Sequence, residues 1–291
     1  MHYVKLREYK KASRTLQEIQ EPDLWNRKVE FSIAKLCASI EDQPTDVLTQ
    51  SLNILGIQSK FRESLKPTIN EAIDSEAAVQ LVMAENKWSK KAPYHGDLLR
   101  RLVRRVLSDI ILGIEDMIDA LTLHIGPPTR FYTALQLLNM ADISESRRNL
   151  AMRTIWRRIF LADDWIKIVD TKNKSDDQVS KQTRQTALYE VISRGVADEL
   201  FQSRTKLRPF FPGEALFLPT DEDTLRSRFR NSKEQEFIGL LGECDAENQL
   251  LRRYEEKARL SVWANGLVKD AESHLLHDGF ALIDAEDIMD E

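Results

Sequence analysis

The sequence predicts an all-α fold, an irregular α-helical stack of the α-solenoid type with about ten helices, and three observations carry that prediction. Apolar residues recur at steps of three and four along nearly the whole chain. No stretch keeps the period-two alternation of Val, Ile and Thr that marks a half-buried strand. Only 10 Gly and 9 Pro stand in 291 residues, too few breakers for many hairpins.

Taken in order, helical spacing covers about 5–20, 24–41, 45–58 and 67–85, with breaks at Glu21-Pro22-Asp23, Gln43-Pro44, Lys66-Pro67 and Ala92-Pro93. The clearest helix is expected from Gly96 to Leu123. Leu99, Leu102, Val103, Val106, Ile110, Ile114, Met117, Ile118 and Leu121 keep its stripe, Asp97 stands at the N-cap, and Gly126-Pro127-Pro128 ends it. Further helices are expected over 129–140, 144–162, 178–195, 222–230 and 234–268. Their short connections predict antiparallel neighbours. No strict repeat of fixed period occurs, which speaks against a consensus array and leaves room for an irregular solenoid. The Pro/Phe/Gly stretch at 207–220 reads either as an internal boundary or as one loop with Phe210 and Phe211 tucked into a core. The expected organisation is a stack over 1–206, a further helical part over 207–268 and an acidic tail over 269–291.

Charge narrows the function classes. The chain carries 42 Lys+Arg and 47 Asp+Glu, a net −5. From Lys269 to Glu291 one Lys faces eight acids, so the tail holds −7 and the rest is nearly neutral at +2. A nearly neutral body lacks the clustered, unbalanced basic charge of a nucleic-acid surface, and an acidic terminal segment is ordinarily solvated and mobile. Cys37 and Cys244 match no CxxC or Cys/His ligand spacing, which argues against a disulfide framework. No apolar run approaches the roughly 20 residues that cross a bilayer, and the opening residues do not read as a signal peptide.

Chemistry is hard to find. Glu115-Asp116-Met117-Ile118-Asp119 resembles the acidic motif with which all-α isoprenoid synthases hold Mg²⁺ against a diphosphate, and Glu115 and Asp119 share a helix face. That alternative would require a second acidic cluster, and Asp163-Asp164 is followed by Trp165-Ile166-Lys167 instead. The acids read better as a solvated helix face. His274 and His277 lie one turn apart beside Glu272 and Asp278 but lack a third strong ligand on a rigid element. His95 and His124, at helix ends, read as structural. There is no nucleophile elbow, Walker loop or Gly-x-Gly-x-x-Gly. Arg100, Arg101, Arg104 and Arg105 cluster on one helix, yet they flank an apolar stripe, so an exposed helix face or ion pairing to neighbouring helices is the expectation rather than a nucleic-acid surface. No cofactor and no metal are expected.

The informative helix is 24–41. At about 100° per residue, Trp25, Val29, Ile33, Leu36 and Ile40 gather on one side, the expected core stripe. Phe31 and Leu24 lie on nearly the opposite side. The preceding helix carries Tyr9, Ala12, Leu16 and Ile19. A helix apolar on two sides is either sandwiched within the chain or offered to a partner.

Three stretches then resemble a known family. They are Ala12-Ser13-Arg14-Thr15-Leu16 continuing through Arg27 to Ser39, Arg130 through Asp142, and above all Leu150 through Trp165 with the Lys174-Ser175-Asp176-Asp177 turn after it. Together they resemble the C-terminal module of scaffold nucleoporins of the 133-kDa class, from the stalk end of the Y-shaped nuclear pore subcomplex. The resemblance implies a non-enzymatic scaffold at the nuclear pore in the nuclear envelope, serving nucleocytoplasmic transport. It implies tail-to-tail docking onto the C-terminal helical domain of the 107-kDa-class nucleoporin (the 84-kDa class in some lineages). Carried onto this sequence, the contacts fall on Phe31, Ile33 and Leu36, with Leu16, Ile19 and Leu24 in support. Since Phe31 opposes Ile33 and Leu36 on the wheel, one of these sets belongs to the core, and spacing alone leaves open which. The family's membrane-sensing element lies in a propeller not represented here, so no membrane contact is implied. Trp156 and Trp165 read as core anchors.

Overall fold

The computed structural model describes residues 2–70, 72–86, 92–170, 172, 174–198, 200–201, 222–229 and 232–286. Among these residues there is no strand, only an isolated antiparallel bridge between Asp23 and Ile110. The all-α stack is therefore what the chain forms. It divides into two compact units, Met1–Ile125 and Gly126–Glu291. The boundary expected near 207 and the Phe210-Phe211 loop lie outside the described residues.

The first unit contains α1 (His2–Lys5), α2 (Tyr9–Glu18), α3 (Leu24–Ile40), α4 (Asp46–Ile69), α5 (Ser75–Glu85), α6 (Pro93–Leu107) and α7 (Ile114–Leu123). Successive helices pack on one another from α1 to α7, and α6 also reaches back to α4. Short polar side chains start two of them. Asp23 accepts from Asn26 N at 2.8 Å to open α3, and Asp74 accepts from Ala77 N at 2.7 Å to open α5. The helix expected over 96–123 is in fact two. It begins earlier, with Pro93 in its first turn, so Asp97 is not its N-cap but an ion-pair partner of Arg100 inside it. It breaks at Asp109, whose φ of 57° is left-handed, and restarts after Gly113. The break expected at Lys66-Pro67 does not occur, because α4 runs on to Ile69. A proline so near a helix end forfeits one backbone bond in a turn that frays anyway.

The second unit contains α8 (Thr129–Met140), α9 (Glu145–Leu161), α10 (Trp165–Ile168), α11 (Asp176–Thr183), α12 (Ala187–Ala197), α13 (Glu222–Arg228), α14 (Glu234–Ala258) and α15 (Leu260–Glu286). The segment expected as 178–195 splits because Thr186 caps a new helix, accepting from Tyr189 N at 3.2 Å. Ser175 and Gln178 close a reciprocal capping box on α11. Arg259, with φ 52°, separates α14 from α15 within the expected 234–268 helix. The stretch expected as a tail from 269 is helical as far as Glu286.

Trp156 and Trp165 are fully buried, as expected of anchors. Trp165 Nε1 donates to Phe160 O at 2.9 Å, and the Trp156 ring meets those of Phe160 and Phe201 with centroids 6.5 and 6.1 Å apart. Each such side chain contributes roughly 1.5–3 kcal/mol or more on burial. Arg157, also buried, points at Glu247 of α14 across 3.6 Å. The Tyr132 hydroxyl of α8 donates to the Asp198 carboxylate just past α12. Burial first, and this carboxylate second, push the phenol up to about 12.

Two outcomes are expected. In Gly195→Ala the new Cβ would collide with the Phe201 ring, so denaturant melts should show a loss of about 1–3 kcal/mol. Gly56→Ala, where a Cβ meets nothing within 4 Å, should instead gain about 0.5–1 kcal/mol. Second, a phenol whose folded pKa exceeds the unfolded one keeps its proton only at a cost in alkali. Stability should fall as pH rises from the ordinary tyrosine value of 10 toward about 12, and Tyr132→Phe should flatten that limb of the melting-temperature profile.

Candidate docking face

The orientation of α3 is set by backbone bonds at its start. Leu24 N donates to Asp109 O at 2.8 Å, and Ile111 N donates to Pro22 O at 3.0 Å. The second side of this joint is the buried amide of Gln58 on α4, whose Nε2 donates to Ile110 O at 2.7 Å and whose Oε1 accepts from Leu112 N at 2.9 Å. The Asp109 carboxylate meanwhile takes Arg62 Nε at 2.8 Å and Nη2 at 3.2 Å. The break in the expected long helix is thus what ties α3, α4 and the α6–α7 turn together.

With the start of α3 held so, its inner side consists of Leu24, Ala34, Cys37 and Ala38, all buried. Ala34 and Ala38 join Leu16 of α2 and Leu48 of α4 in one apolar cluster, with Phe31 and Ile33 half-buried against it. Burial also raises the Cys37 thiol above its ordinary pKa, so this cysteine is packing rather than chemistry. Small residues let α2 and α3 approach closely, Ala12 and Ser13 being buried on the α2 side. Arg27 seals the joint. Its guanidinium lies 3.9 Å from the centroid of the Phe31 ring and donates to the carbonyls of Leu16 (3.1 Å), Gln17 (3.0 Å) and Ile19, acceptors that the end of α2 leaves open.

The expected core stripe is therefore corrected. Trp25 is 44% exposed, Val29 58%, Leu36 65% and Ile40 59%, and only Ile33 of that set is half-buried. The periodicity was that of a real apolar face, but the opposite one is inside, because alanines count for little on a hydrophobicity scale and much in close helix packing. Of the residues the resemblance singled out, Leu16 and Leu24 are core, Phe31 and Ile33 line its edge, and Ile19 and Leu36 are exposed. Trp25, Val29, Ile40 and the exposed Val47 at the start of α4 belong to the outward surface without having been singled out. The small-residue run Ala34, Cys37, Ala38 was the sequence signal that could have found them.

The acidic motif on α7 does not make a metal centre. Asp119 is buried, and Asp116 is gripped by Arg105 Nη1 at 2.7 Å, so the three carboxylates are not presented together to solvent. The arginine cluster on α6 is neutralised locally, Arg100 by Asp97, Arg104 by Glu76 at 2.8 Å and Arg105 by Asp116. The side chains of His274 and His277 lie outside the described residues.

A stack of helices that turns an apolar face outward has the architecture of a helical scaffold. The comparisons make this particular. The model of the family described as non-repetitive/WGA-negative nucleoporin C-terminal matches residues 1–266, so the chain belongs to that nucleoporin family, as a structural component of the nuclear pore complex in the nuclear envelope. It is similar to nucleoporin NUP133 of Chaetomium thermophilum, 28% identical over 281 residues, 87% of this chain and 20% of that protein. It is also similar to nucleoporin nup132 of Schizosaccharomyces pombe, 25% identical over 285 residues, 90% of this chain and 24% of that one. The chain spans about a fifth to a quarter of the length of these relatives. No solved structure matches.

Removing the Gln58 amide should show how much the joint matters. Gln58→Leu leaves Ile110 O and Leu112 N without their partner, and a loss on the order of 2–4 kcal/mol is expected in chemical denaturation. Addition of millimolar Mg²⁺ should leave the melting temperature of the parent chain and of Asp116→Ala unchanged relative to EDTA, a result that a diphosphate-type metal site would reverse.

Proposed function

We propose that the chain docks through the outward side of α3 onto the C-terminal helical domain of the 107-kDa-class nucleoporin (84-kDa class in some lineages), tail to tail, within the Y-shaped complex. The observation that supports this reading is the two-sidedness of α3. One side already fills the core with Leu24, Ala34 and Ala38, while Trp25, Val29, Leu36 and Ile40 remain in water on the other. Apolar side chains in a row on one helix face gain about 1.5–3 kcal/mol each when fully covered, and an exposed tryptophan beside aliphatic residues is the composition of an interface anchor. Lys28, with Nζ 4.9 Å from the Trp25 ring centroid, holds that indole in place at the rim. Leu16 and Leu24 act on docking only by setting the orientation of the face, and Phe31 and Ile33 form its inner edge. A specific contact here would cover on the order of 1,200–2,000 Å² in all.

The test separates the face from the core beneath it. Val29→Glu with Leu36→Glu should abolish the mass shift on mixing with the partner's C-terminal domain, an affinity loss of about 2 kcal/mol or more, while helix content and melting stay at parent values. Phe31→Glu should lower the melting temperature as well. Co-elution of the double variant at parental affinity would move the docking surface elsewhere.

A further inference from the structure

The second unit carries a groove that the α3 reading does not use. It lies between α11 and α15, encloses about 420 Å³, and opens to solvent. Its two walls are helix stripes of matching register. Asp176, Val179, Ser180 and Thr183 line it from α11, and Trp263, Gly266, Leu267 and Asp270 from α15, both at steps of i, i+3, i+4 and i+7. The floor is apolar, with Val179 and Leu267 buried and the Trp263 indole half-buried. One end is fixed by Arg184, which takes both oxygens of Asp270 at 2.9 and 3.0 Å.

Gly266 stands inside α15, where glycine is the poorest helix former after proline. A Cβ built there meets nothing within 4 Å, so among the described residues no close contact accounts for it. A glycine facing an open groove between two helices is what the close approach of a third backbone would require. Charge specifies the visitor further. Asp270 is spent on Arg184, whereas Asp176 is exposed on the first turn of α11, so the rim offers one open carboxylate. We infer that the α11–α15 groove receives an amphipathic helix of another protein, apolar on the side that lies over Gly266 and Trp263 and basic on the flank that passes Asp176. This contact is independent of the α3 face, and each stands if the other fails.

Two synthetic helical peptides serve as probes, one with a Leu stripe and Lys flanks, the other with Glu in place of each Lys. They are titrated into the full 291-residue chain and read by fluorescence, with Trp263→Phe identifying the reporting indole. The Lys peptide should bind saturably and perturb Trp263. Gly266→Leu, which plugs the groove without a clash, should weaken it about tenfold or more while leaving the melting temperature equal or higher. Asp176→Lys should shift the preference toward the Glu peptide. The inference is overturned by equal binding of both peptides to the parent chain, by binding indifferent to Gly266→Leu, or by no saturable binding. It is overturned in favour of a second copy of the chain if sedimentation shows a dimer that Gly266→Leu dissolves.

Discussion

Backbone hydrogen bonds at the Asp109 turn govern which side of α3 looks outward. A helix of seventeen residues can rotate about its axis at little cost unless something pins it. Here the amide of Leu24 is held by Asp109 O, while the buried Gln58 clamps the carbonyl of Ile110 and the amide of Leu112. Those groups lie in a desolvated joint, where each unmade bond costs about 1–3 kcal/mol. Turning Leu36 or Val29 inward would break the Leu24–Asp109 bond and draw Leu24, Ala34 and Ala38 out of the core. An apolar face is left in water because the alternative breaks a polar joint.

Close packing works in the same direction. Ala34, Cys37 and Ala38 are buried on α3, as are Ala12 and Ser13 on the α2 that packs against it, and small side chains allow two helices to pack near the short end of the usual 8–10 Å separation. Dispersion contacts between such backbones substitute for the larger side chains that a hydropathy plot favours. Arg27 completes the arrangement by satisfying the last carbonyls of α2 while covering Phe31. The α2–α3 pair is thereby tied together beneath the outward apolar side of α3, and a preorganised face loses less entropy on docking than a flexible one.

The second unit handles the same problem with aromatic anchors. Trp156 and Trp165 fill its interior, Phe201 closes against Gly195, and the capped starts of α11 and α12 fix where short helices turn. Both surfaces discussed here arise where two helices display apolar or small residues with no third layer over them among the described residues. An irregular stack leaves such edges by construction, since each helix pair covers only its neighbours.

Local patterning in the sequence determined the class of fold, the existence of most helices and the absence of a catalytic signature, because those depend on period, breakers and residue chemistry within a few positions. Trp156 and Trp165 were legible as core for the same reason. Tertiary structure alone decided the break at Asp109, the split at Thr186 and the exposed side of Trp25, Val29, Leu36 and Ile40. The Asp109 break and the exposed side of α3 rest on partners distant in the chain, such as Gln58, or on the fit of small residues across two helices, and the Thr186 split adds to its local cap the Asp163 carboxylate, which accepts from Ala187 N at 2.9 Å. A helical wheel records how apolar a side is and carries no information about what the side meets, so the larger stripe of α3 read as core when the chain had already filled its core with alanine.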